Sequence, residues 1–261
     1  MPISLERAVE EDAEDLASIS KRAFDTDIDV GAPFSEPGGP IGYDSPSFQK
    51  RFMKNLVCYK ILLEESIVGG LYISSRSNQH RVLERIFVDP PFHNRGIATQ
   101  AMEILWGIYS NVQLWTLGTP EWNVRTRHFY EKLGFKQVGW EGGDADFRGI
   151  WYQKVMDPSN PYEMMRIGEL RDGLKDVTVE GTIKSKSEPR KVRSRSTGKP
   201  LTVGNANFVD SSGSVTLVLW NEQIPQVKID DRVRIEFGHL TSYRGEKQLN
   251  VGWMGKLVIL L

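Results

Sequence analysis

Residues 81–100 (RVLERIFVDPPFHNRGIATQ) hold the clearest chemistry of the chain, a cradle for an anion. RVLERIFVD is rich in β-branched and apolar residues and reads as a strand. Pro90 and Pro91 cannot continue a ladder and end it. His93, Asn94, Arg95 and Gly96 lead into a helix expected over 97–109, with Ile97, Met102, Leu105 and Ile108 near one face. The first N–H groups of such a helix lack internal partners, and its dipole favours negative charge there. Gly96, without a Cβ, lets a ligand approach the backbone, and Ala98 and Thr99 complete the first turn. Neither GxxxxGK followed by Ser or Thr nor GxGxxG occurs, so the familiar nucleotide loops are excluded.

A second block, residues 123–135, contains Asn123, Tyr130, Gly134 and Phe135 on and after another expected helix. With His93-Asn94-Arg95-Gly96-Ile97-Ala98 it resembles the acetyl-CoA site of the GNAT N-acetyltransferases. That family carries Gln/Arg-x-x-Gly-x-Gly/Ala after a strand and a Pro-containing turn. His93 replaces the usual Gln or Arg, and Thr126 the usual Ala. The resemblance covers about residues 2–156. It implies acetyl-CoA as co-substrate, no metal, and direct transfer to an amine. It further implies carbonyl polarisation by backbone N–H groups near Phe87 and Val88, and Tyr130 as the acid that protonates the thiolate. Asn123 is expected to hold the pantetheine or adenine arm, with a plain helix cap as the alternative. Asn94 and Arg95 are expected at the pyrophosphate. Glu84 is the candidate base: strand alternation puts it with Val82, Ile86 and Val88, where apolar neighbours would raise its pKa. A pair with Arg81, Arg85 or Arg148 is the structural alternative, and a water chain could remove the proton instead.

The elements that must position these groups read as β-α-α-β-β-β-α-β-α-β-β, a mixed sheet with helices on both faces. A strand over 3–8 and a helix over 11–24, with Ala13, Leu16, Ile19 and Ala23 inward, open the order. Residues 25–47 form a long loop rich in Pro, Gly and Asp, of the kind that is functional or solvated. There Asp25, Asp27 and Asp29 could attract a cationic amine. A helix follows over 48–55, then a hairpin of 57–64 and 67–75. Beyond the first motif come a strand at 112–117, a helix at 121–133 and closing strands at 135–138 and 148–155.

The chain's 261 residues suffice for two domains. Two prolines among residues 157–161 mark a linker, giving expected domains 1–156 and 162–261. Residues 162–261 carry 16 Lys and Arg against 12 Asp and Glu, a net of +4. The remainder holds 17 against 22, a net of −5, so an acidic front and a basic back suggest different partners. The single cysteine, Cys58, excludes an internal disulfide framework and a cysteine zinc cluster. No apolar run is long enough for a bilayer helix and no leader pattern is visible, so a cytoplasmic setting is expected.

In the back half, after a short helical piece at 162–174, runs at 177–185, 201–209, 214–220, 232–237 and 247–251 read as five strands of a small barrel. The first long loop carries Lys184, Lys186, Arg190, Lys191, Arg193, Arg195 and Lys199 against one acid. Trp220 ends one strand, and His239, Tyr243 and Arg244 stand near a later loop. These segments, about 165–253, resemble the archaeal-type single-stranded-DNA-binding OB-fold. The resemblance places Trp220 and Tyr243 at stacking positions, His239 where a second Trp is usual, and Phe208 as an extra platform. The whole then reads as an α+β, two-domain protein. A GNAT-like acetyltransferase precedes an all-β, five-stranded OB barrel binding single-stranded DNA or RNA. Two alternatives have other chemistry: a nucleic-acid binder that senses acetyl-CoA without transferring it, or a barrel that docks a protein partner.

Overall fold

The computed structural model describes residues 2–33, 35–142, 148–194 and 197–261, with backbone alone for Trp253 and Met254. They form two compact units: 1–136 with 152–161, and 137–151 with 162–261. The expected division at 156 therefore differs by one segment, 137–151, which belongs with the second unit.

The first unit follows the expected element order. Strands β1 (Ile3–Arg7), β2 (Val57–Leu63), β3 (Ser66–Ser75) and β4 (His80–Val88) pair antiparallel in sequence order. Strand β5 (Leu114–Pro120) then pairs parallel to β4. Helix α1 (Ala13–Asp25) buries Ala13, Leu16, Ile19 and Ala23 at the expected helical spacing. With α2 (Pro46–Asn55) it packs over Cys58, Tyr72 and Phe87. Helix α3 (Ile97–Ile108) buries Ile97, Ala101, Met102 and Leu105. Ile108, expected inward, is exposed on its last turn. Helix α4 (Val124–Lys132) follows β5, and strands β6 (Lys136–Glu141) and β7 (Gly149–Val155) come next. Among the described residues, no helix is long and apolar enough to cross a membrane.

The second unit is built on β8 (Val177–Lys186), β10 (Pro200–Asp210), β11 (Gly213–Trp220), β12 (Arg232–Tyr243) and β13 (Glu246–Leu260). The ladder runs β12-β8-β10-β11-β13 and closes when β13 pairs β12. Only β11 and β13 run parallel; the other pairs of the ring are antiparallel. Closure in that order, with one parallel joint, is an OB-fold. Its interior is filled by Val179, Ile183, Phe208, Leu217, Val233, Ile235 and Leu249. Strand β6 belongs here because Trp140 pairs with Ile259 and packs against this core.

Three expectations change in this unit. The helical piece at 162–174 is a single 3-10 turn, Ile167–Glu169, whose Ile167 and the following Leu170 plug the barrel. Strands β12 and β13 run well past their expected ends, because both wrap around the barrel. The basic loop contains a strand, β9 (Arg190–Arg193), paired with β10.

Candidate functional site

The Gly-bearing turn expected before α3 is present. Asn94 and Gly96 both take left-handed backbone, φ 59° and 75°, turning the chain sharply into α3. A Cβ on Gly96 would meet only Gln100 Nε2, at 3.9 Å, so the surface before the helix is open. The first turn of α3 carries no acid, and its N–H groups are free for a ligand. Arg95 is exposed, its guanidinium 5.4 Å from the Phe92 ring centre.

Beside this turn the sheet comes apart. The β4–β5 ladder joins His80–Leu114, Arg81–Trp115 and Val82–Thr116, and no pairing is described beyond them, although both strands continue. On its other side β4 stays paired through Val88, opposite Gly69. Asp89 N–H donates to Val68 at 2.8 Å, toward β3. By alternation, Val88 turns its N–H and C=O to the parted side. The Val88 carbonyl accepts from His93 Nε2 at 2.7 Å, which fastens the turn to the strand end. Phe87 sends its ring the other way: a Cβ on Gly70 would lie 2.4 Å from its Cζ, so glycine is required opposite it.

The strand is irregular at Glu84. Tyr72 faces Arg85 and Ile73 faces Leu83, leaving Glu84 as the extra residue of a bulge. Glu84 therefore does not share a face with Ile86 and Val88. It lies exposed, taking the Ser74 hydroxyl proton in a hydrogen bond and pairing with Arg76 at 3.5 Å. The expected apolar surroundings are absent, and the ion pair is with Arg76 rather than Arg81, Arg85 or Arg148.

Tyr130 is buried, 7% exposed, between Phe129, Phe135 and Tyr152. Burial, with the charge of Asp27 adding to it, pushes its phenol well above the ordinary range. Its hydroxyl has no hydrogen-bond partner among the described residues. Asn123 is the N-cap of α4: its Oδ1 accepts Thr126 N–H at 3.1 Å, and its Nδ2 donates to Asp27 at 3.0 Å. The cap alternative is thus the arrangement found, and the carboxamide faces Asp27. Sequence reasoning gave Asp27 no role beyond loop charge, because its partners lie 96 and 98 residues away.

Residues 26–135 match the family model Acetyltransferase (GNAT) family. The PaiA N-acetyltransferase from Thermoplasma acidophilum, in complex with coenzyme A, superposes with a TM-score of 0.50 at 16% identity. The match covers 59% of this chain and 99% of that one. An acetyltransferase from Thermus thermophilus gives the same score and identity over 60% and 98%. The first unit has the GNAT fold. A third likeness is to the single-stranded DNA binding protein Ssb of Saccharolobus solfataricus, 28% identical over 92 residues. Those residues are 35% of this chain, which spans about three-fifths (61%) of that curated relative's length.

On the OB-fold, residues facing one another across strands share a side. Register places Val218, Asn250 and His239 in one row and Thr216, Gln248 and Thr241 in the next. Trp220 is half-buried at the end of this face, and Tyr243 is 48% exposed, with Arg244 5.3 Å from its ring centre. Phe208 is a correction: it is fully buried in the barrel core, because it points to the inner side with Leu217. Lys186 is another, since its ammonium donates to the Ile224 and Val227 carbonyls around a helical turn. Arg190, Lys191 and Arg193 are exposed on β9, and Lys184 pairs with Asp230 at 3.1 Å on the surface. Arg195 lies outside the described residues.

Proposed function

We propose that the GNAT domain transfers the acetyl group of acetyl-CoA directly to an amine, and that the OB-fold binds single-stranded nucleic acid. The parting of β4 and β5 beside the Gly96 turn carries the first half of this reading. An open strand edge can pair with the amide groups of the pantetheine arm while the helix N-terminus takes the pyrophosphate. Where they meet, Val88 N–H is free to polarise the thioester carbonyl. The residues fit the co-substrate: the cradle has space, donors and no acid.

In the proposed reaction the amine nitrogen attacks the carbonyl carbon, the C–S bond breaks, and Tyr130 gives its proton to the departing thiolate. Burial keeps the Tyr130 phenol protonated throughout the neutral range, so its proton is in place when the thiolate forms. His93 holds Val88, so the turn and the carbonyl-polarising N–H move together. Glu84, tied to Ser74 and Arg76, is poorly placed as the base.

The second half rests on the exposed Tyr243, the half-buried Trp220 and the cations of β9 on the OB-fold. Stacking on aromatic rings plus phosphate neutralisation is the usual means of holding single strands. The test is acetyl-labelled CoA added to cell extract, split into protein, nucleic-acid and small-molecule fractions, with and without single-stranded DNA. Label in a macromolecular fraction that responds to DNA supports a tethered modifier. No label in any fraction, with acetyl-CoA bound, sinks the transfer reading in favour of a sensor.

A further inference from the structure

One buried carboxylate of the GNAT domain has no part in the scheme above. Asp27, in the turn after α1, is 8% exposed. Its Oδ1 takes both neighbouring donors, Asn123 Nδ2 at 3.0 Å and Arg125 Nη2 at 2.6 Å. Its Oδ2 has no partner among the described residues. Its neighbours Asp25 and Asp29 differ: Asp25 is bound to Lys21 and Tyr43, and Asp29 is exposed to solvent.

Arg125, Asn123 and His93 at the cradle act on Asp27, and the charge of Asp27 in turn acts on Tyr130 of α4. Asp27 thus lies near enough to both the proposed acid and the residue that anchors Val88 for their charges to interact. Burial raises its carboxyl above the ordinary range, outweighing Arg125, Asn123 and His93. A carboxylate in this setting binds a proton more readily than one in water.

We propose that Asp27 Oδ2 receives the proton of the acceptor ammonium and so marks where that amine sits. This rests on the acetyl-transfer reading. The acceptor arrives as R–NH3+ and passes one proton to the Asp27 carboxylate. The freed lone pair forms the C–N bond, the C–S bond breaks, and the thiolate takes the Tyr130 proton. The second proton released from nitrogen restores the Tyr130 phenol, and Asp27 then loses its own to water. The products are an amide, CoA thiol and one proton.

The test uses the full chain, acetyl-CoA, and spermidine or a lysine tripeptide as acceptor, with thiol release followed from pH 5 to 9. Asp27→Asn keeps an oxygen for Asn123 and Arg125 and removes only the base. The expected result is a fall in kcat/KM of about 100-fold or more. CoA affinity stays within about twofold, and the acid limb of the pH profile moves up to the ionisation of the acceptor amine itself. Asp157→Asn, an exposed carboxylate outside the site, leaves the rate and the limb unchanged. If Asp27→Asn also loses CoA affinity, Asp27→Glu decides, because it keeps a carboxylate and should keep the limb in place. Undiminished turnover with the limb unmoved in Asp27→Asn overturns this proposal alone. A wild-type protein that binds acetyl-CoA and releases no thiol with either amine overturns the transfer reading and this proposal together.

Discussion

Arg190 and Trp220 lie in one cross-strand row of the OB-fold, on either side of Val203. Two strand spacings separate them, roughly 10 Å. A base stacked on the indole would leave its backbone phosphate within reach of the guanidinium. The row joins the two forces expected to hold a single strand, stacking and charge.

The two forces separate by experiment. Trp220→Ala should weaken binding of a dT oligonucleotide by roughly 1–3 kcal/mol, the usual value of one stacking platform. The dependence of log K on log salt should stay the same. Arg190→Ala should instead flatten that slope by about 0.7, the value for one phosphate contact on a single strand. Fluorescence titrations at four salt concentrations measure both. Equal slopes for wild type and Arg190→Ala would remove this residue from the phosphate path.

Lys186 offers a contrast within the same basic segment. Its ammonium is spent on two carbonyls, so Lys186→Met should leave the salt slope unchanged and lower the melting temperature of the OB-fold. Combined substitution of Lys191 and Arg193, both exposed, should flatten the slope by about 1.4 and leave stability nearly unchanged. A melting curve and a salt titration for each variant decide the point.

These cases show what was legible in the chain and what was not. Helix α1 was readable because Ala13, Leu16, Ile19 and Ala23 repeat at helical spacing and one stripe must be buried. The cradle was readable because Pro90, Pro91 and Gly96 fix local backbone, which depends on near neighbours alone. Glu84 failed because one bulge reverses alternation, and nothing in RVLERIFVD announces a bulge. Phe208 failed because an aromatic on a strand reads the same whether its face is inner or outer. Asp27 was legible only as one of three loop carboxylates that could attract an amine; its burial against Asn123 and Arg125 was not, since those donors lie nearly a hundred residues later.

His93 gives a prediction about the co-substrate. Its hydrogen bond to Val88 ties the turn to the strand whose Val88 N–H is proposed to polarise the carbonyl. Loss of one such bond costs on the order of 1 kcal/mol. His93→Ala should therefore raise the Kd for CoA several-fold, and lower kcat as well because Val88 N–H is less well held. Calorimetry of CoA binding and steady-state rates check the two effects; CoA affinity unchanged would mean the turn holds itself.

Tyr130 carries the sharpest kinetic expectation. Tyr130→Phe removes one oxygen from a buried ring and keeps the packing against Phe135 and Tyr152, so fold and CoA affinity should persist. Turnover should fall by about 100-fold or more, the usual contribution of a positioned acid. The pH dependence follows from the direction of the shift. Burial raises the phenol's folded-state pKa above its unfolded value of 10.0. The folded protein therefore holds this proton where the unfolded chain releases it. The resulting stability is fully present below pH 10, and is lost as pH climbs toward the folded-state pKa. Wild type should lose melting temperature faster than Tyr130→Phe above that point, while the two run parallel at neutral pH. Parallel curves throughout the alkaline range would mean that the phenol is solvated, outside the closed, water-excluding setting from which the acid role is argued.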